Sequence, residues 1–157
     1  MNNKMADSFI FSFFATNPDM HQFVEFRKVM ENDIMELILL HYDENEEERA
    51  ELAQNVKELK SLKASPDSTT DDFAKNDTEF HKLLGKASKN LLLERIYSCV
   101  IDFLNPSIKY IHSSENKGAN SETAHSEMLE AIEKRDKEMA AKAVECASVS
   151  WANVMDR

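Results

Sequence analysis

Asp77 and His81 stand one helical turn apart in "KNDTEFHKLLGKASKN", on a face they share with Phe73, Phe80 and Leu84. That face should turn into a core, and an ionised carboxylate is costly to bury without a partner or a metal. His125 repeats the anomaly in "ETAHSEMLEAI", in register with Met128, Leu129 and Ile132. Three inward O and N donors from two helices suit an open site for a zinc-like divalent ion, with positions left for water or a carboxylate ligand. The alternative is plainer: an Asp–His hydrogen bond inside a core, with His125 an unrelated satisfied histidine.

Arg27 is the other residue with chemistry in reach. It lies one turn after Phe23 and one turn before Glu31 in "FVEFRKVMEND". Such a pair on a surface is worth only about 0.3–0.5 kcal/mol. At a pocket mouth the same guanidinium forks onto a ligand carboxylate. His21, His41 and His112 fall near predicted helix ends and should be solvated. Cys99 and Cys146 have neither a neighbouring histidine nor a nucleophile motif, and read as small core residues. Glu122 and His125 make one copy of the E-x-x-H element of di-iron bundles, which need two copies and two further glutamates.

These residues must be positioned by helices. The chain has 157 residues, with only two Gly and three Pro, and its Glu, Lys, Ala, Leu and Met favour helix nearly everywhere. The pattern predicts a short helix over Ser8–Ala15 and a longer one that Asp19 caps and that ends near Leu40. Further helices are expected over Glu44–Lys63, Thr70–Ala87, Asn90–His112, Glu122–Lys134 and Lys137–Val154. Pro66 should end the third, and Pro106 should kink the fifth. The last should turn Ala140, Ala143, Val144, Ala147 and Trp151 inward. Short connections then give an all-α antiparallel bundle of six or seven helices, one domain over residues 1–157.

The formal charge of −10 makes the chain a poor partner for nucleic acid or an anionic membrane surface. Two distant cysteines fit a reducing cytoplasm. No apolar run approaches the ~20 residues of a membrane span.

"FVEFRKVMEND", "NDTEFHKLLGKASKN" and "AHSEMLEAIEKRDKEMA", in this order and spacing, resemble the ligand-sensing FCD domain of the FadR subfamily of GntR-type transcription regulators. The likeness runs from about Phe9 to Trp151. It implies a helical bundle around a central ligand cavity. In metal-binding members an Asp and a His of one helix, with two His of later helices, hold the ion. Asp77, His81 and His125 match three of these, while Ala147 stands where the last histidine is expected. The resemblance also implies a small carboxylate effector, with Arg27 and Asn90 as its candidate contacts.

The expectation is therefore a non-enzymatic effector-binding and dimerisation domain of a bacterial, cytoplasmic regulator. The winged helix-turn-helix head is absent from these residues, so the chain by itself should not read DNA. A fragment of a regulator fits this better than a free-standing sensor. A metal-dependent enzyme using Asp77, His81 and His125 around activated water is the alternative.

Overall fold

The computed structural model describes residues 15, 19–113 and 121–155. The helix expected over Ser8–Ala15 lies, but for Ala15, outside the described residues. Six helices follow: α1 Met20–Leu40, α2 Glu46–Ala64, α3 Thr70–Ala87, α4 Leu91–Ile111, α5 Ser121–Glu133 and α6 Lys137–Met155. Among the described residues there is no strand.

Local chemistry explains where the helices begin. Asp19 accepts from the Gln22 amide at 2.9 Å, and the Gln22 side chain accepts from the Asp19 amide at 3.0 Å. This reciprocal cap satisfies two backbone donors that α1 would otherwise leave open. Thr69 and Asp72 do the same for α3. Asn90 caps α4 by accepting from the Leu93 amide at 3.1 Å. Glu46, Glu47 and Glu48 fill the first turn of α2, where the helix dipole favours negative charge. Pro66 falls in the break after α2, whereas α4 continues through Pro106.

The apolar faces meet around Ile34, Ile38, Leu52, Phe80, Leu84, Ile101, Leu104, Ile132 and Val144, all buried. α3 packs between α2 and α4, and α6 lies against α1 and α5. The five residues expected to face inward from α6 are all buried. Cys146 is not a core residue: it is exposed, because the inward arc of α6 passes through Ala143, Val144 and Ala147.

Polar ties fix how the helices sit. Asn45, fully buried after the end of α1, donates to the Ile38 carbonyl at 3.0 Å and to the Ala87 carbonyl at 2.9 Å. It thereby joins the C-terminal ends of α1 and α3. Its side-chain oxygen accepts from Arg49 at 2.9 Å. Asn55 and Asn76 donate to each other's backbone carbonyls, each at 3.1 Å, and stitch α2 to α3. Beyond α5 the chain turns at Arg135, whose φ of 52° is left-handed for a residue with a Cβ. Its guanidinium lies 3.6 Å from the ring centroid of Tyr42, as does that of Arg49.

Asn45→Ala would strip the Ile38 and Ala87 carbonyls of buried donors. At about 1–1.5 kcal/mol for each lost bond, the variant should be about 2–3 kcal/mol less stable in urea denaturation. A loss below about 1 kcal/mol would mean that water replaces the amide there.

A buried charge cluster between α1, α3, α4 and α5

The middle of the bundle holds Arg27 and Glu31 of α1, Asp77 and His81 of α3, Tyr97 of α4, His112 at its end, and His125 of α5. Every one is at most 5% exposed. The helical spacing places Arg27 under Glu31 and Asp77 under His81. Packing then brings the two pairs together.

Arg27 Nε donates to Glu31 Oε1 at 2.7 Å. The same oxygen accepts from Tyr97 Oη at 2.6 Å. Arg27 Nη2 lies 2.7 Å from His81 Nε2. A guanidinium has only donors, so His81 Nε2 must present a lone pair. The His81 proton therefore sits on Nδ1, 3.0 Å from Tyr97 Oη and 3.2 Å from Glu31 Oε1. Glu31 and Tyr97 hold His81 in the tautomer whose Nε2 lone pair accepts from Arg27, and Asp77 Oδ1 lies 3.5 Å from the same nitrogen. The guanidinium also stacks on Trp151, 4.1 Å from the ring centroid.

On the other side, His112 Nε2 donates to Asp77 Oδ2 at 2.9 Å. His125 Nε2 lies 3.9 Å from that oxygen, and its ring stacks on Phe80 with centroids 3.8 Å apart. One donor atom each from Asp77, His81 and His125 falls within 4.8 Å of the others. Among the described residues, Arg27 Nη1, Asp77 Oδ1, His112 Nδ1 and His125 Nδ1 are buried without a hydrogen-bond partner. Buried polar atoms without partners call for an explanation such as a water or an ion. A carboxylate oxygen, an oriented imidazole lone pair and a second imidazole fit a divalent cation of the zinc type.

Charge follows from these contacts. Burial would raise the Glu31 pKa, but Arg27 and the bonds from His81 and Tyr97 outweigh it and hold the carboxyl below its usual range. Burial likewise opposes ionisation of Asp77, and the His112 bond and the nearby imidazoles reverse this. Burial alone would lower the Arg27 pKa, yet Glu31, Tyr97 and Asp77 carry it above the ordinary arginine value. Tyr97 is pushed well up by burial and by Glu31, so it stays a donor. Burial pushes His125 down to about 3 against the field of Asp77, so this imidazole is neutral at pH 7 and open to a cation.

Of the residues singled out in the sequence, Asp77, His81, His125 and Arg27 are brought together. Asn90 is not: it is exposed, caps α4, and lines an outer groove with Leu40 and Leu92. The Arg27–Glu31 pair exists, but it is buried. Ala147, 8% exposed, borders a void of ≈ 10 Å³ with Arg27, Glu31 and Trp151, so residue 147 does face the cluster. His112 is the clear correction: it is buried against Asp77, not solvated. Its helix-end position suggested water, but α3 covers that end with Phe73 and Asp77. The one sequence signal was the apolar turn ahead of it, with Leu104, Ile108 and Ile111 on the inward side of α4.

An all-helical bundle around a buried, incompletely satisfied charge cluster is a ligand-sensing architecture. The FCD domain model matches residues 22–146, and the chain belongs to that family, the C-terminal effector-binding domains of GntR-family regulators. The family's role is regulatory rather than catalytic, and it implies a small-molecule effector and a DNA-binding partner domain in the full protein. No curated protein and no solved structure matches the chain. Among the described residues no helix is long and apolar enough to cross a membrane.

The cluster makes stability sensitive to acid. Glu31 and Asp77 have folded pKa values below their unfolded ones, so their contribution is present above the ordinary carboxylate range and lost as pH falls through it. His125 acts in the same direction: from about 6.5 down to about 3 the unfolded chain takes up a proton that the folded chain refuses. Unfolding free energy should drop between pH 6.5 and 4 by up to ~1.4 kcal/mol per pH unit from His125 alone. His125→Phe, whose ring can keep the stack on Phe80, should flatten that slope. A slope equal to the wild type's would show that His125 titrates normally.

Proposed function

We propose that this domain senses a small carboxylate metabolite through a divalent cation held by Asp77, His81 and His125, with Arg27 as the clamp on the anion. The observation that carries this reading is the contact between Arg27 Nη2 and His81 Nε2. It sets the guanidinium on the lone pair that a metal would use.

Charge balance supports the same reading. Two carboxylates face one guanidinium, so with neutral imidazoles the cluster is net negative by one. A carboxylate entering there meets repulsion, about 4 kcal/mol for two unit charges about 4 Å apart at an effective dielectric of about 20. A divalent ion reverses the sign of the cluster and supplies an open Lewis-acidic position for one carboxylate oxygen. Asp77 and the two imidazoles would hold it. Arg27 would give up His81 Nε2 and keep its Nε bond to Glu31. That leaves both Nη atoms free to grip the anion in a forked, charge-assisted pair. Anion and cation should therefore bind cooperatively.

The regulator would be a bacterial, cytoplasmic member of the FadR subfamily, acting as a homodimer in which this domain places DNA-reading heads it does not itself contain. Residues 1–157 form one domain in this reading. No observation favours a metal-dependent enzyme: Glu31, the carboxylate left for a general base, already receives Arg27, Tyr97 and His81.

Short organic acids screened by thermal shift should stabilise the wild type when zinc is present and lose their effect with a chelator. Arg27→Met and Arg27→Lys should both respond at least about thirtyfold more weakly to the best acid, the lower end of the ~2–5 kcal/mol range for a desolvated charge pair. Arg27→Met should nevertheless bind zinc no more weakly than the wild type, because the competitor for His81 Nε2 is gone. Equal responses to the acid in all three proteins would remove Arg27 from the site, and acid binding unaffected by the chelator would remove the metal.

Ala147→His tests the register of α6. The void beside residue 147 is too small for an imidazole unless Arg27 shifts, so the metal-free variant should be about 1–3 kcal/mol less stable. With zinc it should bind more tightly than the wild type. Unchanged zinc affinity would show that residue 147 cannot reach the ion.

A further inference from the structure

We infer that His112 is a positioning residue for the cation: it fixes Asp77 by holding one carboxylate oxygen, so that the other is presented to the ion. The inference rests on the metal reading proposed above.

The geometry is specific. His112 Nε2 lies 2.9 Å from Asp77 Oδ2, while Asp77 Oδ1 is buried and without a hydrogen-bond partner. The unengaged oxygen is the one 3.5 Å from the His81 Nε2 lone pair. Carboxylate oxygens are equivalent until something distinguishes them, and here the imidazole does. A side chain that can rotate about χ2 presents its donor poorly; one tethered through its second oxygen has little rotation left.

His112 is itself held on three sides. Its backbone N–H caps α4 on the Ile108 carbonyl at 3.1 Å. The Phe73 ring lies nearly parallel to the imidazole, 12° off plane with centroids 6.0 Å apart. Phe73 and Asp77 are one turn apart on α3, so a single helix face provides both the ring and the carboxylate that grip it. The side chain is 1% exposed.

His112 acts from outside the ligand set. The atoms within mutual ligand range come from Asp77, His81 and His125, and His112 is not among them. Its Nε2 carries the proton that Asp77 Oδ2 accepts, so this nitrogen has no lone pair for an ion. Its Nδ1 is buried without a hydrogen-bond partner. The ring acts as a hydrogen-bond donor on a carboxylate that needs its full charge to hold a cation. Outer hydrogen-bond partners of this kind typically change metal affinity by about 10–100-fold when removed.

Zinc titration against a competing chromogenic chelator tests this, with the metal-free melting temperature recorded for each protein. His112→Phe keeps an aromatic ring against Phe73 and removes the donor; it should bind zinc about 10–100-fold more weakly. His112→Gln restores an N–H near the position of Nε2 and should recover affinity to within about threefold of the wild type. Proton NMR gives a measurement that needs no folded variant. The hydrogen-bonded Nε2–H resonance of His112 should persist in the zinc-loaded wild type, and its loss on loading would overturn the assignment. Equal zinc affinity in wild type and His112→Phe would also overturn it while leaving the three-ligand site intact. A glutamine variant as weak as the phenylalanine one would show that the ring, and not the donor, matters. A wild-type chain that takes up no zinc would overturn the metal reading, and the role of His112 with it.

Discussion

A guanidinium does not shed its charge, so burying Arg27 commits the bundle to supplying carboxylates beside it. Glu31 answers from the next turn of the same helix, and Asp77 from the facing one. Each carboxylate then needs donors of its own, which Tyr97, His81 and His112 provide. The cluster thus ties α1, α3 and α4 together by electrostatic necessity, and His125 brings in α5. Removing one charged member would strand another in a dry interior, which costs more than a lost surface pair.

The network is not fully closed. One Arg27 nitrogen, one Asp77 oxygen and one nitrogen each of His112 and His125 lack partners. A core selected for stability alone would replace such groups with apolar ones of similar volume. Retaining them makes sense where a ligand completes the set. In the proposed reading the arginine has two alternative partners: His81 Nε2, which it contacts in the structure, and an anion once a cation takes that lone pair. A side chain with two alternative partners is the kind of element through which binding biases a conformational equilibrium.

The scaffold around the cluster is tied by polar contacts. Asn45 joins the ends of α1 and α3, the Asn55–Asn76 exchange locks α2 on α3, and Arg49 and Arg135 enclose the Tyr42 ring. These ties lie at the ends and flank of the bundle. They hold α1 and α3 in register, which keeps Arg27 opposite His81.

Much of this was legible from local rules. Capping residues, turn breakers and apolar spacing located the six helices to within a residue or two. The one-turn spacings of Arg27 with Glu31 and of Asp77 with His81 follow from the 3.6-residue repeat, as does the inward face of His125. The match of the segments to the FCD family came from the same residues. Other features depended on how the helices lie against one another. An i,i+4 ion pair has the same spacing in water and in a core, so only packing decided that Arg27 and Glu31 are dry. Helical phase assigns an angle about an axis, but it does not say how far a neighbour covers a helix end. For that reason His112 read as solvated although α3 buries it on Asp77; Cys146 read as core from its residue type alone, although the inward face through Ala143, Val144 and Ala147 leaves it outside. Asn90 matched a family position, yet the structure uses its side chain as a cap on the outer end of α4. Sequence determined which side chains one helix carries on one face; the tertiary structure decided which charges share a solvent-free volume, because that depends on contacts between residues as far apart as Arg27 and His81.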